Sequence, residues 1–286
     1  MCRFTFYMGP KIALSSLLTE PCHSLIKQSY LASEREEPLN GDGFGVAYFV
    51  PHLSDRPAIF RSISPAWSNA NLQHLARVTE SHCIVAHVRA ATQGLVVTET
   101  NCHPFSWQQY AMVHNGDVGG FQKIRRYLLQ ELSDGPFHMI QGSTDSEHLF
   151  AVFLEMLSRE KDITDPTELM VSSLQKAIRF VLDLSAKYAP GEPSYLNIAV
   201  TDGQRGVVTR FTTDVPEEAD SLYLHTGRRY VCEEGLCRMV DHDAADKAVL
   251  IASEPLSKDP GWQSIPVNHL VVIHPDRKTE TRAVCL

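Results

Sequence analysis

The chain has 286 residues, 43% of them hydrophobic, and a formal net charge of -8. That length supports a substantial packed core, and the acidic balance excludes a general electrostatic attraction to nucleic acid or to anionic membrane surfaces. No apolar stretch reaches the roughly 20 residues of a membrane-crossing helix, and the N-terminus lacks a charged region followed by an apolar one, so a cytoplasmic location is expected.

In chain order, the first feature is Cys2. Once Met1 is trimmed, this residue joins a thiol to a free α-amine. A peptide α-amine titrates at roughly 7.7 to 8.0, so it can take the thiol proton without a separate histidine, as N-terminal threonine nucleophiles do. A small second residue with no chemistry is the plain alternative.

Short apolar runs at 4–8, 45–50, 83–88, 110–114, 196–200, 206–211, 248–252 and 269–273 read as strands flanked by turn formers. Helical periodicity is strongest over 145–157 and over 168–184, where Leu169, Met170, Leu174, Ala177, Ile178 and Val181 mark a core face. Ser143 or Thr144 is placed to cap the first of these helices, with Asp145 and Glu147 in its first turn, and Asp165-Pro166 to cap the second. Lys123, Arg125 and Arg126 read as the solvated face of another helix. With no internal repeat and no linker-like tract, a single domain over 2–286 is expected. The seven cysteines are odd in number and scattered, unlike a disulfide framework. The one close pair, Cys232 and Cys237, lacks the second ligand pair of a zinc site and is expected to be two ordinary thiols beside a turn at Gly235. Nothing calls for a metal or an organic cofactor.

Four further segments can carry chemistry. Asn40-Gly41-Asp42-Gly43-Phe44-Gly45 lacks a phosphate-loop lysine and leads into a strand, which favours a shaped turn beside a pocket over a nucleotide loop. Arg89 ends an apolar strand and offers a two-pronged grip on a carboxylate, or else a surface ion pair. His114-Asn115-Gly116-Asp117 is either an ordinary Asn-Gly turn or a pair of donors, the Asn115 amide and the Gly116 N–H, for a developing oxyanion. Gly142-Ser143-Thr144-Asp145 is a capped helix start, whose Asp145 can instead face a ligand's ammonium group.

Together with Met1-Cys2-Arg3-Phe4, His87-Val88-Arg89-Ala90-Ala91-Thr92 and Asn101-Cys102-His103-Pro104-Phe105, these strings resemble the glutaminase domain of class II glutamine amidotransferases, members of the N-terminal nucleophile hydrolase superfamily. The resemblance covers about residues 2–160. Within the family, the fuller strings look most like the amidotransferase-like subunit of the fungal glutathione-degradation complex, with the γ-glutamyl hydrolase of ergothioneine synthesis as a near relative.

The resemblance implies an α+β fold, a four-layer αββα sandwich with mostly antiparallel sheets. It implies Cys2 as nucleophile on a γ-glutamyl carbonyl, Asn115 and Gly116 as the oxyanion hole, Arg89 on the substrate α-carboxylate, and Asp145 with Thr92 on its α-ammonium. His103 and His114 flank the site in these strings, and since no separate base is required a structural role is expected over a catalytic one. The best-studied members have His after the threonine and Trp after the arginine; here Gln93 and Ala90 stand there, so the leaving-group side does not carry over. Glutathione, giving glutamate and cysteinylglycine, is the implied substrate, and a partner subunit related to metallopeptidases is implied with it. A glutaminase feeding ammonia to a separate synthase and a non-catalytic regulatory subunit are the competing readings. Ser253-Glu254-Pro255-Leu256 and Trp262, at the end of a strand-like run, either shape the leaving-group side or form a plain strand-end turn.

Overall fold

The first strand, β1 (Arg3–Ala13), is buried on both faces, and the two faces belong to different cores. Phe4, Phe6 and Met8 pack one way and Tyr7 the other, the period-two alternation of a strand held between layers. This computed structural model describes residues 2–34, 39–90, 96–233, 235–240 and 246–286.

β1 lies inside a seven-stranded sheet with β2 (Phe44–Tyr48), β3 (Ala58–Ser62), β4 (Glu80–Val88), β9 (Tyr223–Gly227), β12 (Ala248–Ala252) and β13 (Gln263–Ser264), ordered β13-β9-β12-β1-β4-β2-β3. A six-stranded sheet is ordered β15-β14-β8-β7-β6-β5, from β5 (Phe105–Trp107), β6 (Tyr110–Asp117), β7 (Tyr195–Thr201), β8 (Gly206–Arg210), β14 (His269–Ile273) and β15 (Thr279–Ala283). The pairings within both sheets are antiparallel.

Three apolar clusters define the layers. Phe4, Phe6, Met8, Val85, Val113, Val208 and Ile251 fill the space between the two sheets. Met112, Ile198, Val200, Val207 and Leu270 face α4 (Phe121–Gln130), α6 (Asp145–Arg159) and α7 (Pro166–Tyr188), with the short α5 (Asp134–Met139) packed on α6. On the far side, Tyr7, Val46, Ile84, Ala86 and Leu250 are covered by α1 (Ser15–Leu18), α2 (Leu25–Gln28), α3 (Ala70–Val78) and a hairpin of β10 (Arg229–Glu233) and β11 (Leu236–Val240). The result is the four-layer αββα sandwich, with one outer layer built of short helices and a hairpin.

The helix ends follow the sequence rules. Thr144 accepts a hydrogen bond from Glu147 N, and Asp165 accepts one from Thr167 N ahead of Pro166 at the start of α7. Lys123 and Arg126 lie exposed on α4, while Arg125 turns inward to donate to His148 Nε2 at 3.0 Å.

One expectation is corrected. Cys232 and Cys237 are joined in a disulfide. The segment is a two-stranded hairpin turning at Gly235, which has φ +82°, and its register sets the two cysteines directly opposite each other with Cα atoms 4.1 Å apart. Spacing alone did not reveal that pairing.

Candidate active site

Cys2 sits just ahead of β1, and the pairing of β1 with β4, Arg3 opposite Val88, brings it beside the segment that follows β4. Its Sγ lies 3.6 Å from the carbonyl oxygen of Ala90. Burial pushes the thiol up from its ordinary pKa, while the bond to Ala90 and the positive charges of Arg89 and Arg3 pull the other way.

Arg89 is 3% exposed, and its Nη1 has no hydrogen-bond partner among the described residues. Its backbone is clamped by the glycine-rich segment: Arg89 N donates to Gly43 O at 2.8 Å, and Asp42 N donates to Arg89 O at 3.0 Å. Gly43 has φ +114°, and a side chain there would meet Cys102 Sγ at 2.6 Å. The segment is thus a shaped turn that carries the arginine, and Arg89 is buried rather than in a surface ion pair. A buried guanidinium with an open donor is a ready carboxylate receptor.

Asn115 and Gly116 lie in β6, which excludes the Asn-Gly turn. Asn115 is 1% exposed, with its Oδ1 unpartnered among the described residues. Gly116 has φ +146°, and a Cβ there would fall 1.8 Å from Tyr195 O on β7, so only glycine fits. The two sheets are tied at this point, where His87 Nε2 on β4 donates to His114 O on β6 at 3.2 Å. His87 stacks on His103 at 4.1 Å, and burial lowers both, His87 to about 3, so both rings are neutral near pH 7. His114 Nε2 donates to Tyr195 O at 3.0 Å, and Nδ1 lies 2.9 Å from Ser146 Oγ, itself bonded to Asp145 Oδ1. With both nitrogens engaged, His114 braces β6 against β7 and α6.

Asp145 opens α6. Its Oδ2 accepts from Val118 N at 2.8 Å and its Oδ1 from Ser146 N at 2.7 Å, which moors the helix start to the end of β6 two residues beyond Gly116. The structure therefore brings Arg89 to Cys2 through Ala90, Asn115 to β4 through His87, and Asp145 to β6 through Val118. Thr92, together with Gln93, falls in residues 91–95, outside the described residues.

Two carboxylates were given no part in the site from sequence, although Glu147 was placed in the first turn of α6. Asp117 lies beside the Asp145 carboxyl, and burial together with the Asp145 charge pushes it up to about 6. Its signal was its place two residues after Asn115, the spacing of one strand face. Glu147 is 3% exposed and accepts from Gln141 N at 2.9 Å and Gly142 N at 2.7 Å. Asn101 Oδ1 accepts from Ser143 N at 2.8 Å, so the strings around Asn101 and Ser143 are one tied loop pair that presents Asp145.

Among the described residues no three His, Cys, Asp or Glu side chains gather as a metal-ligand group, and no helix is long and apolar enough to cross a membrane. A cleft of about 560 Å³ lined by Cys22, Cys237, Met239 and Asp259 includes none of the residues above. The chemistry follows the buried, unpaired polar atoms rather than that volume.

The family model "Glutamine amidotransferases class-II" matches residues 13–226. The chain is a class-II glutamine amidotransferase. It is 41% identical, over 96% of its length and 82% of the relative's, to the probable glutamine amidotransferase DUG3 of Saccharomyces cerevisiae. It is 26% identical, over 96% and 93%, to the γ-glutamyl-hercynylcysteine sulfoxide hydrolase of Mycobacterium tuberculosis. Among solved structures, a glutamine aminotransferase class-II domain protein from Silicibacter pomeroyi superposes with a TM-score of 0.68 over the whole of both chains at 23% identity. The relatives are named as an amidotransferase and a hydrolase, and the structural match at that identity concerns the fold.

Proposed function

We propose that this amidotransferase hydrolyses γ-glutamyl amides with Cys2 as an N-terminal nucleophile, and that glutathione is its substrate. The observation that carries the reading is the buried Arg89 guanidinium, its Nη1 open among the described residues, one residue before the Ala90 carbonyl that Cys2 Sγ touches; the Asp117 and Asp145 carboxyls at the end of the strand that holds Asn115 supply the opposite sign. A γ-glutamyl group presents an α-carboxylate and an α-ammonium on one carbon, and these groups complement its two charges.

In the proposed reaction Met1 has been removed, and the Cys2 α-amine takes the thiol proton. A thiol held in its neutral form by burial needs such a base at the moment of attack. Sγ bonds to the γ-carbonyl carbon, and the resulting oxyanion takes hydrogen bonds from the Asn115 amide and the Gly116 N–H. The α-ammonium returns the proton to the departing nitrogen, the C–N bond breaks, and a γ-glutamyl thioester remains. Water then attacks the thioester, its proton goes to the amine, and glutamate leaves as Sγ is released. Thr92 assists at the α-ammonium.

Resemblance to the mycobacterial hydrolase supports a leaving group that is itself a cysteine derivative, the class to which cysteinylglycine belongs. A metallopeptidase-related subunit is the proposed partner, since it would consume cysteinylglycine. The test is glutamate release from glutathione, glutamine and a third γ-glutamyl amide, with Cys2→Ala alongside. Release from glutathione that vanishes in the variant supports the reading, and release from glutamine alone makes the chain an ammonia donor.

A further inference from the structure

Building on the proposed role of Cys2, we infer that Glu254 is a positioning residue for that nucleophile: its buried carboxylate holds the Arg3 guanidinium, and Arg3 holds the Cys2 carbonyl. Glu254 follows β12, whose Ala252 pairs with Thr5 of β1, and it is 0% exposed. Arg3 Nε donates to Glu254 Oε1 at 2.9 Å, while Arg3 Nη1 donates to Cys2 O at 2.9 Å. The neighbouring serine completes the clamp, with Phe4 N donating to Ser253 Oγ and Ser253 N donating to Phe4 O, each at 3.0 Å. The Ser253-Glu254 string is therefore the anchor of the chain end that bears Cys2, which neither a leaving-group wall nor a plain strand-end turn describes.

The other carboxylate oxygen gathers the segment around α2. His23 Nε2 lies 2.7 Å from Oε2, Ser33 N donates to Oε2 at 2.8 Å, and Gln28 Nε2 donates to the Glu254 carbonyl at 3.2 Å. Burial opposes ionisation, but the bonds from His23 and Ser33 and the Arg3 charge outweigh it and hold the carboxyl at about 2. Glu254 is consequently charged at every working pH.

A nucleophile at a free chain end has no preceding residue to fix its direction, so the carbonyl side must do it. A 1 Å misplacement of a reacting group can cost about 100-fold. The clamp also sets the local field. Among the described residues, the charged and titratable groups around Cys2 and Glu254 include Arg3 on β1, Arg89 after β4, His23 ahead of α2, and Tyr223 on β9, whose hydroxyl donates to Glu34. Removing the Glu254 charge makes the surroundings of the α-amine more positive, which disfavours its ammonium form and lowers its pKa.

The experiment is the pH profile of kcat/KM for glutamate release by Glu254→Gln, with thermal unfolding to establish folding. The expected result is kcat lower by about tenfold or more with KM within about twofold, and an acid limb displaced to lower pH. Arg3→Gln removes the cation and displaces the limb to higher pH; it decides the matter alone if Glu254→Gln does not fold. A limb unmoved in the folded variant, or a loss carried wholly by KM, overturns the inference. Glutamate release that survives Cys2→Ala removes the nucleophile reading and this inference with it, whereas a wild-type enzyme silenced by Cys2→Ala but indifferent to Glu254→Gln removes this inference alone.

Discussion

The carboxyl groups of Asp117 and Asp145 lie beside each other between the end of β6 and the start of α6. Burial and the neighbouring charge raise Asp117 from 3.8 to about 6. Asp117 is protonated below that pH and adds a negative charge above it. If the pair receives the substrate α-ammonium, KM falls as pH rises through about 6, and Asp117→Asn flattens that dependence. Initial rates over pH 5 to 8 decide it. Without substrate the sign reverses: the folded protein keeps a proton that the unfolded chain releases between 3.8 and about 6, so stability declines across that window as pH rises. Asp117→Asn removes that decline as well, which thermal unfolding at several pH values will show.

Arg89→Lys keeps the positive charge and loses the planar fork. With the guanidinium buried and one donor open, KM is expected to rise roughly 10- to 100-fold while kcat changes little. Steady-state kinetics measure both. A fall in kcat with unchanged KM would contradict carboxylate binding.

Asn115→Ala and Gly116→Ala should fail in different ways. Asn115→Ala is expected to lose kcat by about 100- to 1,000-fold with the fold intact, the loss that removal of the proposed oxyanion donor predicts. Gly116→Ala places a Cβ 1.8 Å from Tyr195 O at a residue with φ +146°, so β6 must part from β7. Its Tm is expected to fall by about 10 °C or more. Calorimetry and kinetics on both variants separate chemistry from scaffold.

Much of this was legible in the sequence, for identifiable reasons. β12 is buried and continuously apolar, and β14 is so after His269, so their ends coincide with the runs 248–252 and 269–273. The Asn-Gly pair read locally as a turn because its strand setting depends on β7, some 80 residues later in the chain. β15, with sequence TETRA and mostly exposed, has no apolar pattern to read; its pairing with β14 places it. The Cys232–Cys237 bridge needed the β10–β11 register, and the Asp117–Asp145 contact needed the docking of α6 on β6. Arg89, by contrast, was visible as a lone cation ending an apolar strand, although only the fold shows it buried with an open donor.

The central claim is that Cys2 is a free N-terminal nucleophile. It is tested most directly by intact and peptide mass spectrometry of the active enzyme after reaction with a γ-glutamyl analogue that carries an electrophilic carbon in place of the amide. The account predicts a protein lacking Met1, with one adduct, on the peptide that begins at Cys2, and activity lost in proportion to labelling. Full activity in protein that retains Met1, or inactivation with the adduct on another residue, would contradict it.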